Sequence, residues 1–122
     1  MKPSSAKAKG RRLQQFVATA LRSFLNMTEQ DIKSTPMGAP GVDIWMSSEA
    51  LKKLPLSIEC KNVEKIMIWQ AIEQAEVNSV PGTIPAVIFC KNNETPQIVL
   101  PFLDFLALVG NNGSKVRDTE IL

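Results

Sequence analysis

At 122 residues, 44% of them apolar, the chain has the length for one compact core and not for two. It contains no histidine and no tyrosine, which excludes imidazole bases, Ser-His-Asp triads, helical His-pair zinc sites and the zinc deaminase signature; chemistry falls to carboxylates, Lys or Arg, hydroxyls, or a metal held by oxygen. The net charge of +2 hides an asymmetry, with six basic and no acidic residues in 1–28 against eight basic and twelve acidic in the rest, which suits either a phosphate backbone or a solvated arm.

Taken in chain order, Leu13, Phe16, Val17, Ala20, Leu21, Phe24 and Leu25 recur at helical spacing, so a first helix is expected over 6–26 with these residues on its buried face. Its N-terminal turn is basic, against the helix dipole, which suits a partner rather than the helix. STPMGAPG, residues 34–41, holds two prolines and two glycines and reads as an irregular loop. Residues 42–46 read as a strand and 48–54 as a short helical or looped connection. LSIECK, 56–61, alternates cleanly, placing Leu56, Ile58 and Cys60 on one face and Ser57, Glu59 and Lys61 on the other. A helix is expected over 66–78, ended by Pro81-Gly82. The run 84–91 reads as a strand covered on both faces. After an Asn92-Asn93 turn comes a fourth strand at 97–100, then a last helix opened by Pro101 and closed by Gly110.

The expected order is α-β-β-α-β-β-α in one domain over 1–122, with a basic arm at 1–8 and a polar tail at 111–122 both flexible. The fold class is α/β (α+β), a mixed central β-sheet of about four strands flanked by helices. Cys60 and Cys90 lie in apolar runs without a CxxC pair and read as buried small hydrophobes. No apolar stretch is long enough to span a bilayer and the basic start lacks a signal-peptide apolar region, so a cytoplasmic protein without membrane contact is expected.

If the two early strands pair antiparallel about Leu51, Asp43 faces Glu59, with Lys61 on the same face. Like charges about 4 Å apart repel by roughly 4 kcal/mol at an effective dielectric near 20, and a divalent cation would compensate them. Oxygen ligands without imidazole select Mg2+ or Mn2+, completed by water, substrate phosphate and the backbone carbonyl of Cys60. By itself, E-x-K reads first as a solvated salt bridge. Trp45 and Trp69 read as core or rim packing before base-stacking platforms, and Glu64 and Lys65 as solvated charges.

Gly41-Val42-Asp43-Ile44 and Ile58-Glu59-Cys60-Lys61, placed on successive strands between helices, resemble the motif of the PD-(D/E)XK nuclease superfamily. More narrowly, KGRRLQQF (9–16), STPMGAPGVDI (34–44), SIECKNVEK (57–65) and WQAIEQAE (69–76) are similar to small phage-encoded endonucleases and Holliday-junction resolvase relatives. The resemblance implies a restriction-endonuclease-like core and metal-dependent hydrolysis of DNA phosphodiester bonds. Asp43 and Glu59 would hold the cation and Lys61 would stabilise the transition state, in an electrostatic role because an ordinary lysine pKa of ~10.4 is unsuited to a base. Gln74, with Gln70 one turn before it, matches the glutamine of the helix after ExK; a polar solvent face accounts for both equally well. One departure is Gln14, which stands where resolvase-type members carry a metal-binding Glu on the first helix.

Lys7, Lys9, Arg11 and Arg12 would grip a DNA backbone, and the loop carrying Ser34 and Gly38 is a candidate DNA-contacting flap. Branched duplex of a recombining bacteriophage is the expected substrate; the alternatives are a restriction-like or other-structure nuclease, and a non-catalytic DNA-binding protein with a degenerate nuclease fold. The last helix is apolar nearly all round, more than one sheet face covers, so a homodimer is expected.

Overall fold

The computed structural model of the chain describes residues 3–110, with side chains from Ser5 onward. Within that span the order is α1 (Pro3–Leu25), β1 (Ile32–Ser34), β2 (Ile44–Met46), α2 (Ser48–Lys53), β3 (Leu56–Asn62), α3 (Ile68–Asn78), β4 (Ile84–Cys90), β5 (Gln97–Val99) and α4 (Phe102–Gly110). The fold is α+β, with four helices and five strands in two small sheets.

The larger sheet has the order β3-β4-β5, parallel between β3 and β4 and antiparallel between β4 and β5. Parallel pairing needs a crossover, and α3 supplies it. The smaller sheet is an antiparallel β1-β2 pair with Ser34 opposite Ile44. The single four-stranded sheet expected from the sequence therefore does not form, because the partner of β2 is β1 rather than β3. Strand β1 was hidden by its length: three residues, Ile32-Lys33-Ser34, give no period to read, and Ser34 ends this strand rather than opening the loop.

Alternation along β3 sorts the core into two layers. Leu56, Ile58 and Cys60 pack with Leu13, Val17 and Ala18 of α1 and with Ile32, Ile44 and Met46 of the small sheet. Under α3, Ala71 and Ala75 pack with Val87 of β4. Full burial of Ile32, Ile44, Ile58 and Val87, each below 2% exposed, contributes about 1.5–3 kcal/mol apiece. Because α3 covers the second face, Ser57 and Glu59 are as buried as their apolar neighbours, not half-exposed as simple alternation suggests.

Helix α1 starts three residues earlier than expected, so residues 3–8 form its first turns instead of a loose arm, while residues 1–2 and the expected tail at 111–122 lie outside the described residues. It ends where Asn26 takes a left-handed conformation (φ 57°) and the Met27 N–H returns to the Arg22 carbonyl. Its buried face is rotated from the expected one: Leu13, Gln14, Val17 and Ala18 are inside, whereas Ala20 is exposed and Phe16 and Phe24 stand 58% and 76% exposed. Ser47 caps α2, accepting from the Ala50 N–H (3.1 Å) and donating to Asp31 Oδ1 (2.6 Å). No described helix is long and apolar enough to cross a membrane.

Candidate metal and phosphate site

Asp43 lies between the glycine-rich loop and β2, and the conformation of that loop decides where it lands. Gly38 and Gly41 both have positive φ (83° and 90°), a region that L side chains avoid, and the second bends the chain two residues ahead of Asp43. The loop also rests on α1: a Cβ on Gly10 would come within 3.0 Å of Met37 Cε, so the glycine of the Lys9-Gly10 pair makes room for the loop. The Thr35 hydroxyl donates to the Val42 and Asp43 carbonyls, closing the loop on itself.

From there Asp43 attaches to the outer side of β3 by two bonds. Its N–H donates to the Ile58 carbonyl (3.0 Å), and its Oδ2 accepts from the Cys60 N–H (2.7 Å). The expected ladder between the two strands is thus replaced by one main-chain bond and one side-chain bond, and Asp43 still comes to lie beside residues 58–60. Glu59 projects from β3 on the side of α3 and is 4% exposed. Its Oε2 is 3.7 Å from the Lys61 ammonium, and its Oε1 is buried with no hydrogen-bond partner among the described residues.

Electrostatically the two carboxylates are strained in the same direction. Burial pushes the Asp43 carboxyl above its ordinary range, against the pull of the Cys60 N–H and of Lys61. Burial also raises Glu59, the Asp43 charge raises it further, and Lys61 and the Asn78 side chain at the end of α3 only partly offset this. One ammonium for a buried carboxylate and a half-buried one leaves an excess negative charge and an unused oxygen lone pair. That donor set fits a hard divalent cation: Asp43 and Glu59 supply carboxylate oxygen, and Cys60, next to Glu59, bonds to Asp43 through its N–H. Among the described residues no group of three or more His, Cys, Asp or Glu side chains could hold a metal, so a cation here would rest on two carboxylates, with main-chain oxygen and water completing the shell. The Cys60 thiol is buried, as expected, and driven strongly upward by that burial and by the neighbouring carboxylates, so it stays protonated; Cys90, also free, is half-buried rather than buried.

Lys61 also lines a cleft of about 200 Å³ with Lys65, Gln70 and Gln74, so both glutamines of α3 share an opening with the lysine of the motif. Gln14 is buried on α1 at 5% exposure, a polar side chain on a face otherwise given to the core. Lys7, Arg11 and Arg12 are exposed on α1, while Lys9 is half-buried and its carbonyl accepts from Asn62 Nδ2 (3.2 Å). Ser34 and Gly38 sit on the approach to Asp43, and neither they nor the α1 cations bond to Asp43, Glu59 or Lys61.

Two participants were not anticipated. Asn62 joins the end of β3 to α1 and keeps its Oδ1 buried without a partner among the described residues. Asn78 falls three residues after Ala75 on the buried face of α3, and that periodicity was the available signal. Trp45 is partly exposed under the Lys33 ammonium (5.2 Å to the ring centre), a rim contact, whereas Trp69 is 80% exposed and packs in no core. Glu64 is exposed and accepts from the Asn92 N–H.

Compared with known proteins, the chain matches no family model, no curated protein and no solved structure.

Proposed function

We propose that this chain is a metal-dependent endonuclease acting on DNA phosphodiester bonds, with branched duplex as its preferred substrate. The observation that carries the reading is Glu59: a carboxylate 4% exposed, with one oxygen unpartnered among the described residues, beside the half-buried carboxylate of Asp43 and a single lysine. A structural salt bridge needs only one acid; two acids raised together suit a seat for a cation.

Asp43 and Glu59 would hold Mg2+ or Mn2+, which when bound would acidify a water and neutralise charge on the phosphate oxygens. Asp43 enters already oriented, because one carboxylate oxygen is fixed by the Cys60 N–H and the other is left to bind. Lys61, held 3.7 Å from Glu59, would offer its ammonium to the negative charge gathering on the attacked phosphate. Gln74 and Gln70 line the opening through which the phosphate would approach. Lys7, Lys9, Arg11 and Arg12 would neutralise backbone phosphates to either side, and Ser34 with the loop 35–41, which contacts α1 at Gly10, would meet the duplex next to Asp43. Gln14, buried and neutral, supports one cation rather than two.

The test is cleavage of labelled four-way junctions, flaps and linear duplexes with Mg2+, Mn2+ or chelator. Metal-dependent products are expected from the native chain, most from the junction, with Glu59→Gln and Lys61→Ala losing cleavage and keeping junction affinity within a few-fold. Binding without product under either ion identifies a non-catalytic DNA-binding protein, the alternative that the Gln14 departure keeps open. Undiminished cleavage by Glu59→Gln overturns the assignment of the site.

A further inference from the structure

Burial divides the small sheet into an inner and an outer face. Ile32, Ile44 and Met46 pack against α1 in the same layer as Ile58 and Cys60 of β3. Lys33 and Trp45, directly opposite each other in the β1-β2 register, point the other way and stay exposed, Trp45 at 40%. On β3 the residues that alternate away from that layer include Glu59 and Lys61. The outer face of the β1-β2 pair therefore looks out on the same side of the molecule as the acid and the lysine of the candidate site. Trp45 is also near that site, since two residues of extended chain place its Cα at most about 7 Å from that of Asp43.

Chemistry selects the occupant. The Lys33 ammonium lies over the Trp45 ring, 5.2 Å from its centre, and forms no salt bridge among the described residues. At an exposed position such a cation–ring contact is worth about two- to fivefold in an equilibrium, whereas a nucleobase stacked on an aromatic ring is worth about five- to 150-fold. An incoming base therefore displaces the ammonium from the ring, and the freed Lys33 is left beside the phosphate of the same nucleotide. Base faces are shut inside the stack of a continuous duplex and open where strands part, so this pair distinguishes a branch from an unbroken helix without reading sequence. Resting on the nuclease reading above, we infer that Trp45 and Lys33 bind an unpaired nucleotide of the substrate, its base stacked on the indole and its phosphate on the ammonium, next to Asp43.

The chain has two tryptophans, so Trp69→Phe leaves Trp45 as the only reporter. In chelator its emission should be quenched by a four-way junction and by a single-stranded oligonucleotide, and far less by a long linear duplex. Trp45→Ala should weaken junction binding about five- to 150-fold and duplex binding less than about twofold, while Trp45→Phe restores most of the loss. Lys33→Ala should remove about one phosphate contact from the salt dependence of junction binding. If circular dichroism shows that Trp45→Ala misfolds, the emission of the Trp69→Phe chain decides alone. DNA binding that leaves Trp45 emission unmoved, a Lys33→Ala salt slope equal to the native one, or an equal loss on junction and duplex overturns the inference and leaves the nuclease reading standing. No affinity for any of the three DNAs overturns both, and quenching without cleavage in Mg2+ or Mn2+ keeps the nucleotide site and removes the enzyme.

Discussion

Replacing Glu59 by glutamine removes one negative charge and almost no volume from a side chain that is 4% exposed. In the metal-free protein the Lys61 ammonium, 3.7 Å away, attracts that charge by about 4–5 kcal/mol at an effective dielectric near 20, less the screening reached through a lysine side chain 31% exposed. Against it stand the Asp43 charge, of opposite effect, and a desolvation cost of several kcal/mol for a buried carboxylate. The balance is unfavourable, so Glu59→Gln should stabilise the metal-free chain by about 1–2 kcal/mol, a rise in Tm of roughly 3–8 °C. Saturating Mg2+ should reverse the ranking: at 100 times its Kd an ion adds about 2.7 kcal/mol to the native chain and nothing to the variant. Thermal unfolding followed by circular dichroism, with chelator and with Mg2+, reads both halves. If Glu59→Gln lowers the metal-free Tm, the carboxylate is a stabilising partner of Lys61 and Glu59 no longer supports a cation seat.

Two further outcomes can be checked on the same material. Both carboxylates have folded pKa values raised above their unfolded ones, so their protonation stabilises the fold. Metal-free stability should therefore rise as the pH falls from neutral through the raised values and level off at the ordinary carboxylate range of ~4, with about 1.4 kcal/mol gained for each pH unit separating a folded from an unfolded pKa. Calorimetry across that window should find the rise blunted in Glu59→Gln, and a native chain that loses stability steadily on acidification would contradict the environment described. Independently of the site, Ser57→Ala strands the Val80 N–H (2.9 Å) and removes one of the two partners of the Thr83 hydroxyl (2.6 Å) at a position 2% exposed, and urea unfolding should show a loss of about 1–3 kcal/mol.

Much of the site could be read from one dimension because alternation is a local property. The period of two along 56–61 put Glu59 and Lys61 on one side before any contact was known, and the glycines ahead of Asp43 marked a sharp entry to it. How Asp43 reaches β3 could not be read. Which neighbour a short strand pairs with is decided by non-local packing, and in the fold Ile32-Lys33-Ser34 occupies the edge of β2. Helical periodicity likewise located α1 but not its rotation. Seven apolar residues spread over a wide arc, and the small Ala18 and the amide of Gln14 won places that Phe16 and Phe24 were expected to take. A polar residue in a core position has no hydropathic signature; only the space between α1 and the strands explains it.

The attachment of Asp43 to β3 has a consequence for anyone who mutates it. β3 is the terminal strand of its sheet, and Asp43 caps the Ile58 carbonyl and the Cys60 N–H on its open flank. A bare flank on a strand reading Leu-Ser-Ile-Glu-Cys invites another chain to add to it, the usual route to edge-to-edge aggregation. Alanine at 43 frees the Cys60 amide, so insolubility and inactivity would arrive together and be mistaken for each other. Asparagine keeps a carbonyl oxygen in the same place, which makes it the substitution that separates chemistry from solubility.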